Sequence, residues 1–163
     1  MDRRDHPTPA RSHHPAGQLS VRSRLEWTRQ PRTGPDAGIL GPLTGRTVVE
    51  LGCGSGHNLA HLVAIHHAVG IGIDRDPAKI RRASQLYGQL DQVRFVRDDA
   101  AAYLAALPPS SADMCLSIFG AFSFTPAGPL LTAAASALRP GGLLALTLRR
   151  DDHHDRVIIL ARR

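Results

Sequence analysis

From position 46 onward, short apolar runs alternate with stretches whose apolar residues recur every three or four positions. "RTVVEL" (46–51) is a continuous apolar run, which predicts a strand buried on both faces. "GHNLAHLVAIHHA" (56–68) spaces Leu59, Leu62, Val63 and His66 as one face of a helix. "VGIGID" (69–74) predicts a second buried strand. "DPAKIRRASQLYG" (76–88) predicts a helix with Asp76 as N-cap, Pro77 at its first position, a face of Ile80, Ala83 and Tyr87, and Gly88 as C-cap. "VRFVRD" reads as a third strand, "AAYLAAL" as a short helix stopped by Pro108 and Pro109, and "ADMCLSIF" as a fourth strand. "TPAGPLLTAAASALR" predicts a helix capped by Thr125 and Pro126 and ended by "PGG". "LLALTLRR" is a fifth strand, and "RVIILARR" closes the chain as a sixth.

Strands alternating with helices of this length imply a Rossmann-like α/β fold. The expectation is a mostly parallel, doubly wound sheet in three α/β/α layers, with a shortened C-terminal end. The expected organisation is a disordered basic arm over residues 1–20 and a domain over 21–163. That domain has an N-terminal helix at about 21–30 ("VRSRLEWTRQ"), a core at 46–150 and an edge strand at 156–162.

Composition refines this picture. The 163 residues are 42% hydrophobic, enough for a real core. No apolar run reaches the roughly 18 residues of a membrane span, so no membrane partner is expected. The N-terminus lacks the apolar stretch of a secretory signal and the acid-poor amphipathic pattern of a transit peptide, which predicts a cytoplasmic protein. Cys53 and Cys115 both fall in apolar elements and read as small core residues. The net charge of +6 is concentrated at the start. Residues 1–35 hold seven arginines against Asp2, Asp5 and Glu26. Basic residues elsewhere are neither clustered nor interleaved with aromatics, so no specific nucleic-acid partner is expected. The run "DDHHD" (151–155) lacks the spacing of a zinc site and reads as a solvated loop.

The candidate chemistry lies behind the first strand. "VVELGCGSGHN" places Glu50, Gly52, Gly54 and Gly56 in an E-x-G-x-G-x-G array, and Asp74 ends the next strand. Such a loop brings backbone amides to a ligand at a helix N-terminus, and an acid at the second strand end accepts ribose hydroxyls. Both features define a nucleoside site. A dinucleotide fingerprint requires glycine where His57 stands, and Glu50 would repel a pyrophosphate while suiting a cationic ligand.

With "VRDDA" after strand three and "LRPGG" before strand five, residues 46–148 resemble the class I S-adenosylmethionine-dependent methyltransferases. The resemblance implies S-adenosylmethionine as cofactor. Gly52, Cys53 and Gly54 would present backbone to its methionine part, with Glu50 at the ammonium end. Asp74 would hold the ribose and Arg75 flank the adenine. Asp99, in competition with Asp98, and the Ala100 amide would read the adenine edge, and Ser117 would floor the sulfonium. Gly56 belongs to the motif but reads equally well as helix–strand packing. The DNA and protein-glutamine enzymes of the class carry a Pro-Pro signature after strand four. "SIFGAFSFTP" departs from it, which implies a small-molecule methyl acceptor. Phe119, Phe122 and Phe124 read either as an apolar acceptor site or as core. The family follows strand five with a helix and an antiparallel strand pair, whereas "RVIILARR" supplies one strand. A methyltransferase-fold binding or partner protein without catalysis of its own is therefore the second reading, and a nicotinamide-dependent dehydrogenase a distant third. No oligomeric state follows from the pattern.

Overall fold

A computed structural model describes residues 19–28, 30–149 and 156–163. Six strands form one sheet: β1 (Thr47–Leu51), β2 (Val69–Asp74), β3 (Val93–Arg97), β4 (Ala112–Ile118), β5 (Leu138–Arg149) and β6 (Arg156–Arg162). Their spatial order is β3-β2-β1-β4-β5-β6. All neighbours are parallel except β6, which runs antiparallel to β5. Four helices connect them: α1 (His57–His66), α2 (Pro77–Tyr87), α3 (Ala100–Ala106) and α4 (Ala127–Ala137).

The alternation of apolar runs and helical spacing thus places the six strands and four α-helices from residue 46 on, but not the short 3-10 turn at Ala121–Ser123. Asp76 caps α2 by accepting from the Ala78 amide, with Pro77 in the first turn. Thr125 does not cap α4: the N-cap is Pro126 and makes no side-chain bond. "LRPGG" is absorbed into β5, whose pairing with β4 is irregular between Ala112 and Met114.

Two apolar cores flank the sheet. One packs Leu104, Leu130, Ala134 and Ala137 of α3 and α4 against Val49, Ile73 and Leu146. The other packs Leu59, Leu62 and Val63 of α1 against Val48, Leu116 and Ala145. Cys53 and Cys115 are both buried and unpaired, and burial raises both thiols, Cys115 to about 12.

The expected helix at 21–30 does not form among the described residues. Residues 19–28 lie as a non-helical strap across α1. Leu25 and Trp27 are fully buried in the α1-side core, whereas Arg24, Glu26 and Thr28 are only partly buried. That period-two pattern is the signature of extended chain. Asn58 then serves the strap as a strand neighbour would. The Glu26 amide donates to Asn58 Oδ1 at 3.1 Å, and Asn58 Nδ2 donates to the Glu26 carbonyl at 3.2 Å. His61 Nδ1 donates to the Arg22 carbonyl at 2.8 Å. Burying two large side chains contributes roughly 3–6 kcal/mol, more than a single exposed helical turn offers. Of the basic arm expected at 1–20, residues 1–18 lie outside the described residues, as does the "DDHHD" loop.

Candidate functional site

Strand order reverses between β1 and β4, and in such sheets ligands sit beyond the carboxyl ends of the strands at that reversal. The glycine loop leaves β1 at this place. The amides of Gly52 and Cys53 both donate to the Ile73 carbonyl, at 2.8 and 2.9 Å, which bends the loop over the end of β2. Asp74 then clamps the tip. Its Oδ2 accepts from the Gly54 amide and its Oδ1 from the Asp76 amide, each at 2.9 Å.

The three glycines have three different neighbours. A Cβ on Gly52 would meet the Gly120–Ala121 backbone at 2.6 Å. A Cβ on Gly56 would meet the Phe95 ring at 2.5 Å, so Gly56 serves the packing of α1 on β3. Gly54, at φ +56°, faces open space. The loop's side chains were therefore removed at two positions for the protein's own packing, and at the third a side chain would project into open space.

Glu50 sits in the middle strand, paired in register with Gly72 and Leu116, and is 3% exposed. Burial pushes its carboxyl up to about 8, and the nearby Asp74 charge pushes the same way. The Leu59 backbone and the Arg22 charge act against them. Its Oε2 is buried with no hydrogen-bond partner among the described residues. An acceptor in that condition is costly unless a donor arrives.

A cleft of about 210 Å³ opens beside the loop. Of the sequence candidates it is lined by Gly52, Asp74, Arg75, Asp98, Asp99 and Ala100. Glu50, Cys53, Gly54, Gly56 and Ser117 are not among its lining residues. Asp99 is the N-cap of α3, its Oδ1 accepting from the Ala101 and Ala102 amides at 3.0 Å. That cap leaves the Ala100 amide outside it and directs Oδ2 toward Arg75 Nη1, 3.8 Å away. Asp98 accepts from the Asp99 amide at 2.7 Å. Arg75 Nη2 also donates to Thr125 Oγ1 at 3.4 Å, joining the end of β2 to the start of α4.

Ser117 is fully buried. Its hydroxyl donates to the Leu51 carbonyl at 3.1 Å, tying the end of β4 to the end of β1. Phe122 packs against the core, whereas Phe119 and Phe124 line the cleft and Phe124 is 71% exposed. Phe119 adopts φ +48°, a conformation rare for a non-glycine residue and common where loops are held for function. Gly120 escaped the sequence reading. A Cβ there would overlap the Leu51 carbonyl, and the signal was a glycine directly after strand four. Lys79 also lines the cleft, from the first turns of α2.

Comparison with known proteins identifies the family and the fold. The family model described as "Methyltransferase domain" matches residues 48–142. The chain is 31% identical over 111 residues to YjhP of Escherichia coli, covering 66% of this chain and 44% of that protein. A crystal structure of an S-adenosylmethionine-dependent methyltransferase from Thiobacillus denitrificans, in complex with S-adenosyl-L-homocysteine, matches at 29% identity and TM-score 0.58. That match covers 68% of this chain and 44% of the other. An arsenic(III) S-adenosylmethionine methyltransferase from Chlamydomonas reinhardtii matches at 24% identity and TM-score 0.57, over 67% and 42% of the two chains, and shows the shared fold. The chain belongs to the S-adenosylmethionine-dependent methyltransferase family and has its class I fold. It spans less than half the length of these relatives. Among the described residues no helix is long and apolar enough to cross a membrane.

Proposed function

We propose that this chain binds S-adenosylmethionine at the carboxyl ends of β1 and β2 and transfers its methyl group to a small-molecule acceptor. The observation that carries the reading is Glu50 Oε2, a buried carboxylate oxygen without a donor at the base of the glycine loop. Once ionised, it is satisfied by an ammonium group, whereas a phosphate would be repelled. When bound, the cofactor supplies a sulfonium methyl that is displaced in line with a neutral leaving group.

The chain's own residues bind and orient. Gly52, Cys53 and Gly54 offer backbone to the methionine part, Asp74 accepts from the ribose hydroxyls, and Arg75 flanks the adenine. Asp99 Oδ2 and the Ala100 amide read the adenine edge. Ser117 acts through the Leu51 carbonyl it holds rather than by touching ligand. Phe119 and Phe124, with no Pro-Pro signature after β4, support an apolar small-molecule acceptor. The two unpaired cysteines support a cytoplasmic setting.

Calorimetry with S-adenosylmethionine, S-adenosylhomocysteine and a nicotinamide dinucleotide tests the cofactor. Micromolar binding of the first two alone is expected, and selective dinucleotide binding overturns the reading. Transfer of a labelled methyl group into the small-molecule fraction of a cell extract tests the acceptor. Binding without transfer would leave a cofactor-binding protein.

A further inference from the structure

At the opposite pole of the sheet, the amino ends of β1, β4 and β5 meet the carboxyl end of β6. A cavity of about 120 Å³ opens there, lined by Arg46, Arg139, Arg162 and Asp113 together with Gly141 and Gly142. Asp113 is only 13% exposed and is fully engaged. It accepts from Arg46 Nη1 and from the Thr47 amide, at 2.9 and 2.8 Å, and pairs with Arg139. Arg162 Nη1 donates to the Gly141 carbonyl at 3.2 Å. Three guanidinium groups from three separate strand ends thus converge on a concavity with a single lining carboxylate. Within the lining, three guanidinium side chains meet one carboxylate side chain. Arg163, next in the chain, is turned elsewhere: its Nη1 donates to Ser110 Oγ at 3.0 Å and to the Leu138 carbonyl. The Arg46 and Arg139 side chains are 45% and 40% exposed, so their remaining N–H groups are open to a ligand.

The carboxylate that restrains Arg46 and Arg139 also holds their forks in place, which is the preorganisation an oxyanion site needs. Asp113 and the Gly141 carbonyl take up only part of the donor capacity of these three forks. The geometry points to a second binding site at this pole, one that takes a phosphate group, either free or as the phosphomonoester of a small ligand. Arginine forks match phosphate oxygens in pairs, and the cavity admits a single such group. The seven residues of β4 separate this site from the cofactor cleft by roughly 20 Å, so an anion held here does not take part in methyl transfer.

The test is calorimetric titration of the full chain, saturated with S-adenosylmethionine so that the glycine loop is occupied, with inorganic phosphate, glycerol 3-phosphate and chloride at equal ionic strength. Phosphate and the ester should bind with millimolar affinity or better, and chloride should give no saturable heat. If the ester binds at least as tightly as phosphate, the ligand is a phosphomonoester; if it binds more weakly, the ligand is the free anion. Arg162→Gln should weaken phosphate binding about tenfold, the loss of one charge-assisted contact. Its affinity for S-adenosylmethionine should stay unchanged. Arg46→Gln repeats the test from another strand. Equal heats with chloride, or both variants binding phosphate as the wild type does, would overturn the site. Failure of the wild type to bind S-adenosylmethionine would instead strike at the methyltransferase reading, and phosphate would then be titrated alone.

Discussion

The two poles of one sheet carry opposite binding equipment. At the carboxyl ends of β1 and β2 the equipment is a tightly held glycine backbone with carboxylates around it, Asp74 clamping the Gly54 amide, Asp98 and Asp99 lining the cleft and Glu50 buried beneath. At the amino ends of β1, β4 and β5 the equipment is long basic side chains around Asp113. The difference follows from where the chain leaves the hydrogen-bond ladder. Where the chain turns from strand into helix, the Ile73 carbonyl and Asp74 hold the loop's amides, and glycine keeps side chains out of the space beside it. Strand ends still held in the ladder have few amides to spare, so side chains do the reaching. Backbone changes should therefore dominate at the cleft, and charge changes at the basic pole.

The largest effect is expected at Gly54. A Cβ there meets no protein atom within 4 Å, and the strain of a side chain at φ +56° is on the order of 1–2 kcal/mol. The fold should survive, with native circular dichroism, while affinity for S-adenosylmethionine falls more than about a hundredfold, because the side chain fills the space the ligand needs. Gly52→Val is the counterpart. Its Cβ would strike the Gly120–Ala121 backbone, so the loss should appear in melting temperature. Wild-type affinity in a folded Gly54→Val protein would remove the loop from the site.

Asp74→Ala comes next. It removes the proposed ribose acceptor and also frees the Gly54 and Asp76 amides it holds. Losing charged hydrogen bonds worth roughly 1.5–3 kcal/mol should weaken cofactor binding about ten- to a hundredfold by calorimetry. An unchanged dissociation constant would leave Asp74 a purely structural clamp.

Glu50 gives a pH signature. Its folded value, about 8, lies above its unfolded value near 4.5, so the folded state keeps the proton longer. Its contribution to stability is fully present below the unfolded value and is lost as pH rises toward 8. The melting temperature of the cofactor-free protein should therefore drop between pH 5 and 8 more steeply in the wild type than in Glu50→Gln. Cofactor binding should show the opposite slope. The ammonium requires the ionised carboxylate, so affinity should tighten up to about pH 8 with release of a proton, roughly tenfold per pH unit at most. Titration in buffers of different ionisation enthalpy measures that proton, and its absence would separate Glu50 from the ammonium.

The cleft pole was largely legible in the sequence because each of its parts is local. The β1 apolar run, the glycine spacing, Asp74 at a strand end and "DDA" at a helix start each lie within a dozen residues. What stayed hidden depended on contacts between distant segments. Leu25 and Trp27 alternate as extended chain does, but only Asn58 and His61, more than thirty positions on, make the strap preferable to a helix. The tie between the Ser117 hydroxyl and the Leu51 carbonyl, 66 positions earlier, is announced by no local pattern. The basic pole was invisible for the same reason. Arg46, Asp113, Arg139 and Arg162 are scattered along the chain, and only the strand order brings them together.

The smallest effect on cofactor affinity is expected from Asp113→Asn, which asks whether the poles are independent. The substitution leaves Arg46 and Arg139 without their carboxylate and weakens the acceptor for the Thr47 amide. Breaking such a partly buried group should cost about 1–3 kcal/mol, several degrees in melting temperature for a chain of this size. Nothing at the cleft touches Asp113, so the dissociation constant for S-adenosylmethionine should stay within about twofold, less than 0.5 kcal/mol. If cofactor affinity instead falls together with melting temperature, the strands β1 and β4 transmit a disturbance from one pole to the other. The contrast between a backbone-built cleft and a charge-built pole would then describe two ends of one coupled site.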